Sequence, residues 1–176
     1  ANADVYDIQR RYAGKPALLS LTDGDSARGW VLLRELGIPR DAWFVCVHAR
    51  EDGYAPNGDQ SYRNSDIRYY FPAIRSIIDR GGWVIRVGDP TMRPMPEMDR
   101  VIDYVHLPIR SDWMDIFLVA SCKFFFGSAS GLSGAAYVFG KPCVTVNNAP
   151  LSCVLPVGQD DISIPKLVWS SEKARY

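Results

Sequence analysis

Two short stretches of the chain carry residue types suited to holding an anion. In Phe124-Phe125-Phe126-Gly127-Ser128-Ala129-Ser130-Gly131, small hydroxyl residues and glycines lie between an apolar run and the start of a helical pattern. Glycine lets backbone approach a phosphate closely, and the free N–H groups and dipole at a helix N-terminus favour negative charge. The hydroxyls of Ser128, Ser130 and Ser133 add donors. A tight turn with a serine cap has the same composition, and the stretch is neither a Walker loop nor G-x-G-x-x-G.

The second stretch is Val45-Cys46-Val47-His48-Ala49-Arg50-Glu51-Asp52. His48 and Arg50 have the same parity and face one side if the strand persists that far. An Arg at a strand's end can clamp a diphosphate through two parallel hydrogen bonds. His48 could orient a loop, stack or donate to an oxygen. Glu51 or Asp52 could pair with Arg50 or hold a sugar hydroxyl. A satisfied histidine and solvated loop charges are the plain alternative, but two polar exits converging on one sheet edge favour a binding cleft. Arg86 lies inside a further apolar run with Asp89 just past it. A buried Arg calls for an anionic partner, which makes Arg86 a second phosphate or carboxylate ligand and Asp89 a neighbouring contact. Tyr54, Tyr62, Arg63 and Asn64 belong to a polar loop able to cover a ligand.

These residues need a scaffold that brings strand exits together. Thr22 to Ser26 reads as a cap and turn opening a helix with Trp30, Leu32, Leu33 and Leu36 on it, ended by Gly37. Continuous apolar runs at 42–48, 83–87, 101–105, 124–126 and 142–146 read as strands buried on both faces. Ile67, Tyr70, Phe71, Ile74, Ile77 and Ile78 form one helical stripe, which either begins or kinks at Pro72. A helix capped by Ser111 or Asp112 precedes the fourth strand, and another follows Gly131. Such alternation predicts an α/β fold: a Rossmann-like, mostly parallel sheet with helices on both faces. In that architecture ligands bind beyond the carboxyl ends of the strands.

Composition narrows the function classes. The 176 residues include 20 Lys+Arg and 20 Asp+Glu, a balance that argues against a nucleic-acid partner held by a general basic field. No apolar run reaches the roughly 18 residues of a spanning helix, and no charged-then-apolar leader opens the chain, so a cytoplasmic location is expected. Cys46, Cys122, Cys143 and Cys153 lack metal-ligand spacing and read as buried thiols. With only His48 and His106 besides, neither a metal nor another cofactor is expected. A start at Ala1 and an end on Ser170-Ser171-Glu172-Lys173 suggest a piece of a longer protein, with 1–24 an approach segment and 25–176 the folded domain.

The blocks HARED, SYRNSDIRYYFPAI, GGWVIRVGDPTM, VIDYVHLPIRSDWMDIFLVASCKFFFGSASGLS and FGKPC resemble a bacterial glycosyltransferase family with the GT-B fold, from about Leu19 to Tyr176. More distantly, His48-Ala49-Arg50 is similar to the H-x-R motif of fucosyltransferases that use GDP-fucose; Glu51 stands where that motif carries a second Arg. The resemblance implies the carboxyl-terminal, donor-binding half of a GT-B fold, without its amino-terminal acceptor domain. It implies a nucleotide-diphosphate sugar as donor and a glycan or other acceptor. Arg50 would hold the diphosphate opposite Gly127, Ser128, Ser130 and Gly131, with Arg63, Arg86 and Asp89 as further donor contacts. Metal-free stabilisation of the leaving group follows, with Arg50, Glu51 and His48 as catalytic candidates. The competing expectations are a nucleotide-sugar or phosphate-binding module without catalysis, and an unrelated phosphate-binding α/β domain. A thiol phosphatase is poorly matched, because Cys46, Cys122 and Cys143 lie within or before strands. A serine hydrolase lacks a histidine downstream of Ser128 and Ser130.

Overall fold

The computed structural model describes residues 7, 10–11, 14–54, 60–149 and 158–175. Tyr54 is described for its backbone alone, and Cys153 lies outside the described residues. Six strands form one sheet: β1 (Phe44–His48), β2 (Trp83–Arg86), β3 (Val101–Ile102), β4 (Phe125–Gly127), β5 (Cys143–Asn148) and β6 (Ile162–Pro165). Their order is β3-β2-β1-β4-β5-β6, and every pairing is parallel. The order reverses between β1 and β4, so the two polar exits read from the sequence leave adjacent strands at the switch point of a Rossmann-like sheet.

Helix α1 (Asp23–Glu35) is capped by Thr22, whose hydroxyl accepts from the Asp25 N–H at 3.0 Å. The boundary drawn at 24/25 therefore crosses its first turn. Helix α2 (Phe71–Asp79) follows a 3-10 turn at Ile67–Tyr70, with Pro72 in its first turn where a missing N–H costs no helical bond. Helix α3 (Asp112–Ser121) is capped by Ser111, and α4 (Gly131–Val138) by Ser130.

Alternation along the buried strands sorts their side chains onto two faces. Phe44, Cys46, Ile85, Phe125 and Cys143 pack against Leu33 of α1, Met114, Phe117 and Leu118 of α3, and Ala136 of α4. Val45, Val47, Val84 and Phe126 pack against Ile74 and Ile77 of α2. Helices thus cover both faces, as the sequence predicts.

Two elements differ from expectation. The third strand stops at Ile102 instead of running to 105, and a 3-10 turn (Tyr104–His106) replaces its end. Asp103 turns the chain there: its carboxylate accepts from the Met95 N–H at 2.9 Å and from Arg86 at 3.3 Å. Strand β6 was not anticipated. It is an edge strand whose Ile162 and Ile164 are exposed, so it lacks the long apolar run that marked the others. Among the described residues no helix is long and apolar enough to cross a membrane.

Candidate functional site

The exits of β1 and β4 are locked together by backbone. Gly127 has φ 155°, and a Cβ placed on it would lie 1.9 Å from the His48 carbonyl oxygen. Only glycine allows so close a crossing. The Ser128 N–H then donates to the His48 carbonyl at 2.9 Å, and the Arg50 N–H donates to the Ser128 hydroxyl at 2.7 Å. Ser128 is 2% exposed. Its hydroxyl was expected to face a phosphate; instead it is enclosed as a brace between the strands. Gly127 likewise serves the crossing rather than a ligand.

Ser130 and Ser133 form a reciprocal cap. The Ser130 N–H donates to the Ser133 hydroxyl at 3.0 Å, and the Ser133 N–H donates to the Ser130 hydroxyl at 3.4 Å. The N–H groups of Gly131 and Leu132 have no carbonyl four residues back to reach within their helix. This end of α4 opens on a cleft of about 930 Å³, lined also by His48, Arg50, Arg63, Asp89 and Arg110.

Arg50 enters that cleft half-buried, its Nε enclosed and without a hydrogen-bond partner. Among the described residues no carboxylate pairs with its guanidinium. Arg63 donates to the Ala129 carbonyl at 2.9 Å and to Gln60 Oε1 at 2.7 Å, strapping the 60–64 segment to the β4–α4 turn. Its role in the structure is to hold a wall of the cleft.

His48 is buried, with Nδ1 3.0 Å from the Val87 carbonyl. Since a carbonyl only accepts, Nδ1 carries the proton and Nε2 the lone pair of the neutral ring. Burial pushes its pKa down to about 4, aided by the charges of Arg86 and Arg50 and opposed by the Val87 bond. At neutral pH the ring is uncharged. It can accept a hydrogen bond through Nε2 but is a feeble proton acceptor.

Arg86 and Glu51 are committed to one another, which corrects the sequence expectation for both. Arg86 is fully buried and donates to Glu51 Oε1 at 2.7 Å, the Arg93 carbonyl at 2.6 Å and Asp103 Oδ1 at 3.3 Å. The second Glu51 oxygen accepts from the Arg93 N–H at 3.0 Å. Arg86 does find its anionic partner, but that partner belongs to the protein. Glu51, occupied on both oxygens, is ill placed as a general base. Asp89 lines the cleft while accepting from the Thr91 N–H at 2.9 Å. Burial would raise its pKa, but the Thr91 bonds and nearby Arg110 outweigh that and hold it below the ordinary value.

The cleft contains residues the sequence reading passed over. Arg110 donates to the Gly88 carbonyl at 3.3 Å and approaches Asp115 at 3.5 Å. Burial raises the Asp115 pKa above the ordinary carboxylate value. Both follow β3, the strand exit left out when the other four were considered. Rank by strand exit was the signal that would have found Arg110. Among the described residues no three His, Cys, Asp or Glu side chains gather as a metal-ligand set.

A Rossmann-like α/β unit with an arginine-lined switch-point cleft is the class that fold and site define. No family model and no curated protein sequence matches the chain. Among solved structures it is similar to ADP-heptose lps heptosyltransferase II of E. coli, with TM-score 0.60 and 14% identity over 83% of this chain and 44% of that one. It is also similar to the family 9 glycosyl transferase from Veillonella parvula DSM 2008, with TM-score 0.55 and 9% identity over 83% and 41% of the two chains. E. coli heptosyltransferase WaaC with ADP gives TM-score 0.51 and 18% identity over 74% and 40%. The chain spans less than half the length of these proteins. At such identities the likeness establishes the shared fold.

Proposed function

We propose that this chain is the donor-binding unit of a glycosyltransferase and that its cleft takes a nucleotide-diphosphate sugar. The observation that carries the reading is the placement of Arg50 and the Ser130–Gly131 helix start on one cleft of about 930 Å³. The structural neighbours support it: two are named as heptosyltransferases, one for ADP-heptose and one holding ADP. In this reading residues 25–176 form the donor domain, and the acceptor domain expected from the sequence lies elsewhere in the protein.

The chemistry follows from where charge develops. Breaking a sugar–phosphate bond builds negative charge on the departing diphosphate oxygen. Arg50, with no carboxylate partner among the described residues, supplies a fixed positive charge, and the Gly131 and Leu132 N–H groups add donors backed by the α4 dipole. These groups stabilise the leaving group without requiring a metal ion. His48 holds the β1 exit against Val87 and presents a neutral nitrogen. With Glu51 paired to Arg86, the base that activates the acceptor comes from a different group.

The discriminating experiment is calorimetric titration of the chain with ADP, GDP and UDP and with the matching monophosphates. A donor-diphosphate site predicts that one diphosphate binds more tightly than its monophosphate. Equal affinity for the pair, or no binding by any nucleotide, contradicts the reading.

A further inference from the structure

A second cavity, of about 370 Å³, opens beside the first. Glu51 lines both. Elsewhere a single strap of chain divides them: Gln60, Tyr62 and Arg63 face the large cleft, while Asn64, Ser65 and Asp66 face the small one. The strap is held at several points. The Ser65 N–H donates to the Arg50 carbonyl at 2.9 Å, Asn147 donates to the Ser65 hydroxyl at 2.7 Å, and Lys166 donates to the carbonyls of Tyr62 and Asn64 at 2.8 and 2.9 Å. A partition tied down in this way keeps two pockets distinct while leaving them joined at residue 51, one position from Arg50.

We propose that the small cavity is the subsite for the acceptor and that it takes a hydroxyl-rich, uncharged ligand, a sugar ring. The proposal rests on the donor reading of the large cleft, since transfer requires the acceptor to reach the carbon attached to the diphosphate that Arg50 holds. The lining supports the ligand class. Ile67, Phe71, Pro94 and Pro96 supply apolar surface for the C–H face of a ring. Around them stand acceptors on Asp52 and Asp66 and donors on Asn64, Arg68 and Arg93. A sugar hydroxyl both donates and accepts, and such a mixed rim satisfies both roles. An anionic ligand fits poorly: the two guanidiniums already face carboxylates, Arg68 donating to Asp66 at 2.9 Å and Arg93 lying 3.9 Å from Glu51. A purely apolar ligand would strip water from these charges without replacing it.

The test is a nitrogen-15 amide titration of the intact chain with methyl α-D-glucopyranoside, methyl α-D-mannopyranoside and methyl β-D-galactopyranoside, and separately with ADP, GDP and UDP. At least one glycoside is expected to move the amides of Asn64, Asp66, Arg68 and Arg93. Asp66→Asn and Arg93→Gln lie on the rim and leave the core untouched. Each is expected to weaken that glycoside roughly fivefold, one hydrogen bond to a charged group at a wet site, while nucleotide affinity stays unchanged. Glycosides that move no amides, move only those of the large cleft, or bind the variants equally well overturn the acceptor subsite. If nucleotides still move Arg50, Ser130 and Gly131, the donor reading survives that failure. Glycoside shifts at the small cavity with every nucleotide silent would remove the donor reading and the acceptor role with it.

Discussion

The backbone N–H of Arg50 donates to the hydroxyl of Ser128 at 2.7 Å, joining the exit of β1 to the exit of β4. The bond fixes the backbone from which the Arg50 side chain enters the cleft. Ser128→Ala leaves a half-buried N–H without its acceptor, and is expected to cost about 1–3 kcal/mol of stability. Nucleotide affinity should fall as well, because Arg50 loses its fixed origin. Urea unfolding and nucleotide titration of the same variant check both parts; unchanged values in both would show the brace to be idle.

Gly127 permits the crossing on which that bond depends. A Cβ there would meet the His48 carbonyl oxygen at 1.9 Å, and neither backbone can move without breaking the β1–β4 pairing. Gly127→Ala is expected to destabilise by about 3 kcal/mol or more. The urea midpoint should drop sharply, or the variant should fail to fold; a midpoint equal to that of the unaltered protein would contradict the geometry.

The Arg86 guanidinium is fully buried and balanced by Glu51 and Asp103. Removing one partner of a buried pair leaves an uncompensated charge, so Glu51→Ala is expected to lose about 3 kcal/mol. Glu51→Gln keeps the side chain's shape and one acceptor and should lose less. Comparing the two variants by urea unfolding tests whether Glu51 acts through this pair. Equal stability in both would refute it.

His48 makes stability depend on pH. Its folded pKa is depressed to about 4 from 6.5, so between those values the unfolded chain binds the proton that the folded chain refuses. The stability it contributes is complete above about pH 6.5 and falls as pH drops toward 4, by about 3 kcal/mol across the window, then levels off. His48→Asn keeps a donor for the Val87 carbonyl and removes the titration. Unfolding measured from pH 7 to pH 4 should therefore fall less steeply in the variant. Identical slopes would show that His48 does not titrate in this way.

Much of the scaffold was legible because the strands near the site are buried on both faces. Runs such as Phe44-Val45-Cys46-Val47 and Trp83-Val84-Ile85 carry their own signature, and Thr22, Ser111 and Ser130 mark helix starts by cap chemistry. Strand β6 carries no such signature, since its isoleucines face outward at the sheet edge. The partners of Arg86 were not legible either: Asp103 is 17 and Glu51 is 35 residues away, and only the fold brings them together. Ser128 misled for a related reason. Its hydroxyl looks like a ligand donor until the Gly127 crossing places it beneath Arg50. Arg50 and Ser130 stand on one cleft because strands β1 and β4 are neighbours, a pairing that the residues at their ends suggest but do not prove.

The most direct measurement is the affinity of the tightest-binding nucleoside diphosphate for the unaltered chain and for Arg50→Ala, each compared with the corresponding monophosphate. Losing hydrogen bonds from a charged group to the diphosphate predicts a fall of roughly 10- to 100-fold for the diphosphate. The monophosphate should change far less, and the urea midpoint should stay nearly constant. Diphosphate affinity that survives the loss of Arg50 would contradict the grip proposed at the switch point.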